Sequence, residues 1–449
     1  MVPRLRFIID GHKTLKDCVE ALQKTNTITD YHTYSIEENI EVPNKVKLVQ
    51  DNGYGGFSKK GSEYLIYNQN TPQPWSNIIS NNSFGTVVTN NGCGFTYAFN
   101  SGEFKLTSWT NDVISNDKSE GFRFNGLVFD PSTCVHGFGY TILSSETLEL
   151  KHEVTEFVPL DDNVKLYYMK LANKENFKKM VDVDYYLNPV LGNFEEKTSR
   201  HILSEFMGED NFVKLRNVYS INYGDVNVFM SSNLKIQSAV TEKMLVKSIT
   251  NKVELEPNEE IEIVYMLGAG MSDKACIDII KKYSSIDNVK KALKDVKDYW
   301  KKNLGVINVK SSDPLFDYMI NGWYLYQTIS SRIMAKTGFY QVSGAFGYRD
   351  QLQDAMNIAI VKPDYTRRQI LVNAAHQFRE GDVLHWWHDK NRFGLRSRYK
   401  DDYLWLVYAT IFYIKVTGDY SILDEKIPYI SVSGTDSRVV IGSECHCEG

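Results

Sequence analysis

The chain has 449 residues, 42% hydrophobic and 24% charged, which is too long for one ordinary domain and has the composition of a soluble globular protein. Its formal net charge of −5 argues against nucleic acid or an anionic membrane as a partner. The first residues lack the apolar run of a signal peptide, and no window reaches the roughly 18 apolar residues of a membrane span. We therefore predict a cytoplasmic protein with no membrane segment in this chain.

Six cysteines are scattered along the chain, at Cys18, Cys93, Cys134, Cys276, Cys445 and Cys447. Scattered cysteines favour reduced thiols over a disulfide framework. Cys445 and Cys447 flank His446, but this spacing is not a standard zinc pattern and no second pair is near. We predict no metal site.

Short strands are predicted for most of the first half of the chain. Residues 13–25 have the apolar spacing of a short helix, and we assign 1–44 to this helix and a linker. Residues 45–270 instead show β-branched and alternating runs between Asn, Gly, Asp and Ser turn signals. Regular short strands without helical periodicity predict one large antiparallel β-sandwich.

The pattern becomes helical at Ser272. Residues 271–305 predict a linker of two helices, with Ser272 as N-cap and Gly305 as the glycine after the last turn. Residues 306–430 then predict a strongly apolar helix, a Gly-rich aromatic loop, and helices over about 363–378 and 401–416 separated by a Trp/His loop. Paired helices with functional loops fit an α-helical toroid better than a bundle. Residues 431–449 form an atypical polar tail.

One stretch combines aromatic rings with charges: HWWHDKNRFGLRSRYKDDYLWL, residues 385–406. Such residues are costly to bury unless they are hydrogen-bonded. Flat rings beside hydrogen-bonding charges suit a sugar-binding cleft. The alternative is an amphipathic helix start preceded by a solvated loop.

Several strings occur in an order that resembles a known family: NGYGGFSKKGSEYLI, TPQPWSNIISNNSFGTVVTNNGCGFTYAFNSGEFKLTSWTND, FVPLDDNVKL, NGWYLYQT, GFYQVSGAFGYRDQLQDAM, QFREGDVLHWWH and GLRSRYKDDYLWL. Together they resemble glycoside hydrolase family 94, the cellobiose and chitobiose phosphorylases. Within it they are most similar to the phosphorylase-like module of cyclic β-1,2-glucan synthases and to β-1,2-oligoglucan phosphorylases. The resemblance covers residues 52–430 and implies a β-sandwich, a helical linker and an (α/α)6 barrel.

The resemblance also implies a reaction, the inverting phosphorolysis of β-glucosidic bonds with release of α-glucose 1-phosphate. An inverting hydrolase needs two carboxylates, but a phosphorylase uses phosphate as the nucleophile, so one general acid suffices. By resemblance we place this acid at Asp402, with Asp401 as the alternative. One of the two aspartates could instead serve as a helix N-cap, and Asp401 is the more natural candidate.

Further site residues follow from the same resemblance. Arg349 and Asp354 are expected to bind the donor sugar, with Asp350 near, although four-residue spacing also permits an ordinary ion pair on the helix. The cleft is expected to be lined by Trp386, Trp387 and His388, or these residues pack in the core. Arg396 and Arg398 are expected to orient the acid or to approach phosphate. The alternative is that they lie on a solvated loop.

The chain departs from the family in one respect, because it supplies only about the first half of a barrel of twelve helices. The expected partners are a β-linked oligosaccharide and inorganic phosphate as co-substrate, with no organic cofactor. Two alternatives to a free phosphorylase stay open: a chain-length-controlling module of a cyclic β-1,2-glucan synthase, and a truncated, catalytically inactive glycan-binding remnant. The family often forms dimers, and the sequence leaves linkage, sugar and oligomeric state open.

Overall fold

Antiparallel strands dominate the first half of the chain. The structure is a computed structural model that describes residues 47–109, 118–147, 149–242, 246–337, 343–390, 392–397, 399–430, 432–433 and 438–441. The strands up to residue 270 are β1 (Gly55–Phe57), β2 (Glu63–Ile66), β3 (Ser76–Ser80), β4 (Phe84–Thr89), β5 (Gly94–Ala98), β6 (Lys105–Thr107), β7 (Glu120–Phe124), β8 (Leu127–Val128), β9 (Thr133–Gly137), β10 (Tyr140–Glu146), β11 (Leu150–Phe157), β12 (Val164–Asn173), β13 (Lys179–Leu187), β14 (Pro189–Gly192), β15 (Ile202–Met207), β16 (Phe212–Asn217), β17 (Asn227–Ser232), β18 (Ser238–Val240), β19 (Lys247–Leu255) and β20 (Glu260–Gly270).

These strands form three sheets. The largest has ten strands in the order β1-β2-β9-β10-β11-β12-β20-β17-β16-β15, and two five-stranded sheets have the orders β18-β19-β13-β7-β8 and β14-β6-β5-β4-β3. At the centre of the large sheet, β12 pairs antiparallel with both β11 and β20. The predicted antiparallel β-sandwich is therefore confirmed.

Strand β12 shows why the large sheet is buried on both faces. Successive side chains of a strand point to opposite faces. Tyr167 and Met169 pack into the core between the sheets, whereas Leu166 and Tyr168 pack into a second core under the helices. This second core attaches the helical part of the chain to the back of the sandwich.

A charged cluster lies inside the sandwich. Lys165, only 1% exposed, places its Nζ 2.7 Å from Glu120 Oε1 and 2.8 Å from Glu156 Oε2. Burial raises the pKa of Glu156, and the Lys165 ammonium opposes that shift. Removing one partner of a buried ion pair leaves an uncompensated charge, so the three side chains depend on one another.

Two helices follow the sandwich, α1 (Asp273–Tyr283) and α2 (Ile286–Leu304). The predicted N-cap is confirmed, because the Ser272 side chain accepts a hydrogen bond from the backbone N–H of Ala275. The prediction for Gly305 is wrong in its conformation, since its φ of −69° is right-handed. A left-handed glycine with φ +73° instead follows the last long helix, at Gly418.

The predicted apolar helix, α3, consists of four continuous segments: Pro314–Tyr318, Met319–Trp323, Tyr324–Gln327 and Thr328–Met334, the second and fourth with wider π-type turns. Its side chains are hydrogen-bonded to the sandwich. Trp323 Nε1 donates to Gly61 O at 2.7 Å, and the Tyr326 hydroxyl donates to Asn77 Oδ1 at 2.7 Å. These bonds join the helical part to the sandwich edge.

Three further helices complete the described helical part: α4 (Tyr348–Asn357), α5 (Pro363–Ala374) and α6 (Lys400–Thr417). The Trp/His segment between α5 and α6, predicted as a loop, is a β-hairpin of β22 (Leu384–His388) and β23 (Phe393–Arg396). The hairpin is joined by β21 (Phe346–Gly347) and by β24 (Val432–Ser433) and β25 (Arg438–Ile441) from the predicted tail. Short helical turns occur at Glu195–Thr198, Ser199–His201 and Tyr420–Asp424.

Several predictions lie outside the described residues. These are the N-terminal helix over 13–25, the Cys445-His446-Cys447 triplet and Arg398. The division into domains and the completion of the helices into an (α/α)6 barrel stay predictions. None of the helices that the structure describes is both long enough and apolar enough to span a membrane.

Candidate active site

Two adjacent carboxylates stand in the first turn of α6. Tyr399 is the N-cap and contributes no side-chain cap, so Asp401 is not the cap that the sequence suggested. Consecutive helix positions are rotated by about 100°, so neighbouring side chains point into different surroundings. Asp402 is 1% exposed, whereas the side chain of Asp401 is 48% exposed.

Asp402 is bound to the preceding hairpin. His385 Nδ1 lies 2.8 Å from Asp402 Oδ2, and this hydrogen bond raises the pKa of His385 above its ordinary value. The His385 ring stacks on Tyr399, with centroids 4.6 Å apart. A proton donor must contact the glycosidic oxygen. Asp402, our first choice for that donor, is buried and hydrogen-bonded to His385 in this structure.

Asp401 faces solvent and meets a cation from another helix. Arg349 Nη1 donates to Asp401 Oδ2 at 2.9 Å. This hydrogen bond holds the pKa of Asp401 below its ordinary value, and a hydrogen bond from Trp405 acts in the same direction. Accessibility therefore favours Asp401, our second choice, as the group that a ligand could reach.

Helix α4 carries the predicted sugar ligands Arg349, Asp350 and Asp354, but their side chains differ in exposure and in partners. Arg349 lies on the exposed side with Asp401, and Asp350, half-buried, follows it. Asp354 is 7% exposed, and Arg332 binds both of its oxygens at 3.0 Å. Burial raises the pKa of Asp354, and the Arg332 guanidinium opposes this. The expectation that Asp354 binds a sugar hydroxyl is therefore not met in this arrangement.

The hairpin tryptophans differ in exposure. Trp387 is 1% exposed, donates from Nε1 to Asp389 Oδ1 at 2.9 Å, and stacks on His376 with centroids 3.9 Å apart. In this structure Trp387 packs in the core, which was the alternative to a role as a stacking platform. Trp386 is half-buried, 5.8 Å from the ring of Phe393. The exposed ring beside the carboxylates is Tyr399, at 60%.

The remaining predicted site residues have partners away from the carboxylates. His388 Nδ1 lies 2.9 Å from Glu103 Oε1, on the sandwich. Arg396 binds Asp382 through two hydrogen bonds of 2.6 Å and stacks over the Phe378 ring at 3.9 Å. Its expected contact with the acid or with phosphate is therefore replaced by a structural ion pair.

Sequence reasoning left several site residues without a role: His385, Tyr399, Trp405 and Arg332. His385, Tyr399 and Trp405 lie in the aromatic stretch, and for Tyr399 and Trp405 the neighbouring KDD was the available signal. Arg332 lies 22 residues from its partner Asp354, and nothing in its local sequence indicates this pairing. In the described part of the chain, no three His, Cys, Asp or Glu side chains are grouped to hold a metal ion.

Comparisons with known proteins place this fold and site in a family. The catalytic-domain model of the Glycosyl hydrolase 94 superfamily matches residues 299–438, and the Glycosyl hydrolase 94 supersandwich model matches 62–122 and 128–245. The chain belongs to glycosyl hydrolase family 94. The catalytic match continues past residue 430, where the motif resemblance ended, and includes β24 and the first residue of β25.

Individual relatives of this family 94 chain differ in name and length. Cyclic beta-(1,2)-glucan synthase NdvB of Rhizobium meliloti is 33% identical over 428 residues, which are 85% of this chain and 15% of that protein. N,N'-diacetylchitobiose phosphorylase of Vibrio furnissii is 22% identical over 86% of this chain and 58% of its own length. The chain thus spans only part of these relatives.

A solved structure supports the fold. A putative kojibiose phosphorylase from human microbiome superposes with a TM-score of 0.57 over 82% of this chain and 58% of its own, at 12% identity. At this identity the likeness shows the fold alone, a sandwich-type antiparallel β domain followed by helices.

Proposed function

We propose that this family 94 chain supplies the proton donor and part of the sugar-binding surface of an inverting glycoside phosphorylase acting on β-glucosidic bonds. The observation that carries the proposal is the exposed Asp401 carboxylate, 2.9 Å from the Arg349 guanidinium at the start of α6. Relatives named as phosphorylases support it, among them the chitobiose enzyme of Vibrio furnissii and the solabiose phosphorylase of Paenibacillus borealis.

The proposed reaction needs one protein carboxyl group. Protonated Asp401 gives its proton to the glycosidic oxygen while a phosphate oxygen attacks the anomeric carbon from the opposite face. The bond from the anomeric carbon to the glycosidic oxygen breaks, leaving α-glucose 1-phosphate and a shortened glucan with a new hydroxyl. Phosphate takes the place of the water and base that an inverting hydrolase requires.

Arg349 has to change partner for this step. While it binds Asp401 it lowers the pKa of that carboxyl, which disfavours the protonated form that a general acid requires. If Arg349 turns to a sugar hydroxyl or to phosphate, that stabilisation is lost. The negative charge of the incoming phosphate then raises the Asp401 pKa further.

Asp402 and His385 serve as positioning residues in this proposal. Their 2.8 Å hydrogen bond joins the hairpin to the first turn of α6, directly beside Asp401. Tyr399 stacks on the same histidine and offers an exposed ring to a sugar face.

The test is an assay of α-glucose 1-phosphate release from β-1,2, β-1,3 and β-1,4 gluco-oligosaccharides with phosphate. We expect Asp401→Asn to lower the rate about 10²–10⁴-fold, the usual contribution of a general acid. Asp402→Asn is the matched control and should retain more activity, with folding checked by circular dichroism. Loss in Asp402→Asn alone would restore our first choice of acid.

Two alternatives are separated by the same assay. The 33% identity to the Rhizobium meliloti synthase favours a module that controls glucan chain length in a cyclic β-1,2-glucan synthase. Release confined to β-1,2 glucans, with transmembrane and glycosyltransferase segments encoded upstream in the intact gene, would support that assignment. Glycan binding without any release would support a non-catalytic remnant.

A further inference from the structure

A cavity of 530 Å³ lies beside the start of α5. Helix α4 has ten residues, so its two ends are about 15 Å apart. Arg349 is at its first end, whereas the cavity adjoins the turn between its second end and α5. Its wall includes side chains from a sandwich turn, α2, α3 and α5: Asn82, Tyr299, Asn303, Met334, Lys362 and Arg368.

The wall carries two cations, Lys362 and Arg368, and each lies against a tyrosine ring. Lys362 Nζ donates to the Tyr299 hydroxyl at 3.1 Å and lies 5.0 Å from the centre of that ring. The Arg368 guanidinium lies 5.2 Å from the Tyr365 ring centre. Among the ion pairs of the described residues, none involves Lys362 or Arg368. Asp364 is the acidic side chain in the lining, so Lys362, Arg368 and Asp364 together give the wall a net charge of +1.

The uncharged part of the wall suits a sugar ring. Tyr299 and Tyr365 present aromatic rings, and Asn82 and Asn303 present amides that can donate to and accept from hydroxyls. Pockets for drug-sized ligands enclose about 300–1,000 Å³, so this volume holds a small polar molecule. Lys362 and Arg368 suit the phosphate of such a molecule, because guanidinium and ammonium groups form charge-assisted hydrogen bonds to phosphate oxygens.

We propose that this cavity is a second ligand site, for a phosphorylated hexose. The phosphate binds Lys362 and Arg368, and the sugar ring packs against Tyr299 and Tyr365. The site uses none of the residues at the start of α6, so it stands without the proposed function. If that function holds, its product is one member of the ligand class.

The experiment is isothermal titration calorimetry on the full chain with glucose 6-phosphate, α-glucose 1-phosphate, inorganic phosphate and glucose. We expect saturable binding of a hexose phosphate and weakening of about tenfold or more in the double variant Lys362→Gln/Arg368→Gln. Lys281→Gln, at an exposed cation on α1, is the matched control and should bind like the wild type. Arg349→Gln should leave the binding of glucose 6-phosphate unchanged, because Arg349 belongs to the proposed active site and not to this cavity.

Four results would overturn the proposal. They are an absence of saturable heat with the wild type, equal affinity in the double variant, equal binding of glucose, and binding of inorganic phosphate as tight as that of the hexose phosphates. Loss of binding in Arg349→Gln, with the double variant unaffected, would locate the ligand at the start of α6 instead. Melting curves of each variant show that the chain is folded. Failure of the α-glucose 1-phosphate release assay does not affect this outcome.

Discussion

The chemistry at the start of α6 depends on neighbouring aspartates that meet different partners. Asp401 has an arginine on its exposed side, and Asp402 has a histidine on its buried side. Each partner moves a pKa in a defined direction: Arg349 lowers that of Asp401, and Asp402 raises that of His385. The second shift can be measured without any substrate.

We predict that His385 titrates above its ordinary value of about 6.5 and returns towards it in Asp402→Asn. A raised pKa in the folded chain means that the pair stabilises the fold fully below about pH 6.5 and loses that contribution as pH rises through the folded pKa. NMR of ¹³C-labelled histidine measures the titration. Urea unfolding of wild type and His385→Gln should show a stability difference that shrinks between acidic and alkaline pH.

A His385 signal that titrates at or below the ordinary value would contradict this pairing. His136, inside the sandwich, where burial lowers its pKa to about 4, serves as an internal reference that Asp402→Asn should leave unchanged. An equal shift of both histidines in that variant would indicate a general loss of structure.

In the candidate site, the types of residue could be predicted from the sequence, but the exposure of each side chain could not. The sequence indicated rings and charges around residues 385–402, and Arg349 and Asp401 do meet. It could not show that Trp387 is buried, because a strand alternates its faces and the face depends on register. Nor could it show that Arg396 is bound to Asp382, since that pairing requires the hairpin to be known.

Between the helices, a chain of buried amides fixes the start of α4. Gln369 Nε2 donates to Gln351 Oε1 at 3.2 Å and to Asn373 Oδ1 at 2.8 Å. Gln351 and Asn373 in turn donate to the backbone carbonyls of Gly347 and Tyr348. Arg349 follows directly, so these amides position the residue that meets Asp401.

We predict that Gln369→Leu lowers the free energy of unfolding by about 1–3 kcal/mol, because two buried acceptors lose their donor. Denaturant unfolding measures the loss. Gln327→Leu, at an exposed position of α3, makes the same chemical change and should stay within about 0.5 kcal/mol of wild type. Equal effects of the two substitutions would show that the amide chain contributes no stability.

Helices were easier to predict than the segments between them. Apolar spacing and the caps located α1, α2, α5 and α6 within a few residues. The hairpin after α5 was missed because its strands are short, and strands β24 and β25 that extend its sheet come from a polar tail. Local sequence carries little signal for pairing over that distance.

At the scale of the whole molecule, helix α6 exposes a stripe of apolar side chains. Leu404, Val407, Tyr408 and Ile411 are 67%, 58%, 54% and 47% exposed in the part of the chain that the structure describes. Their spacing of three, four and seven residues places them on one helix face. Contiguous exposed apolar surface of this kind promotes association.

We predict that Leu404→Lys with Ile411→Lys lowers concentration-dependent self-association of this chain while its melting temperature stays near that of wild type. Sedimentation velocity measures the association. Leu127→Lys, on the β7–β8 hairpin and 76% exposed, is the matched control. An unchanged distribution of species in the α6 variant would show that this face does not drive association. Homodimer formation and a cytoplasmic location stay predictions.

The hydrogen bonds between α3 and the sandwich have a consequence for cooperativity. Tyr326 accepts from the backbone N–H of Gly139 and donates to Asn77, and Ser80 donates to the Ser330 carbonyl. These groups are buried between the two parts, so pulling the helical part away breaks these hydrogen bonds and exposes the shared apolar core to water. Heat should therefore melt the sandwich and the helices in one transition. Expressing either part alone would remove contacts with the other part that it needs to stay folded.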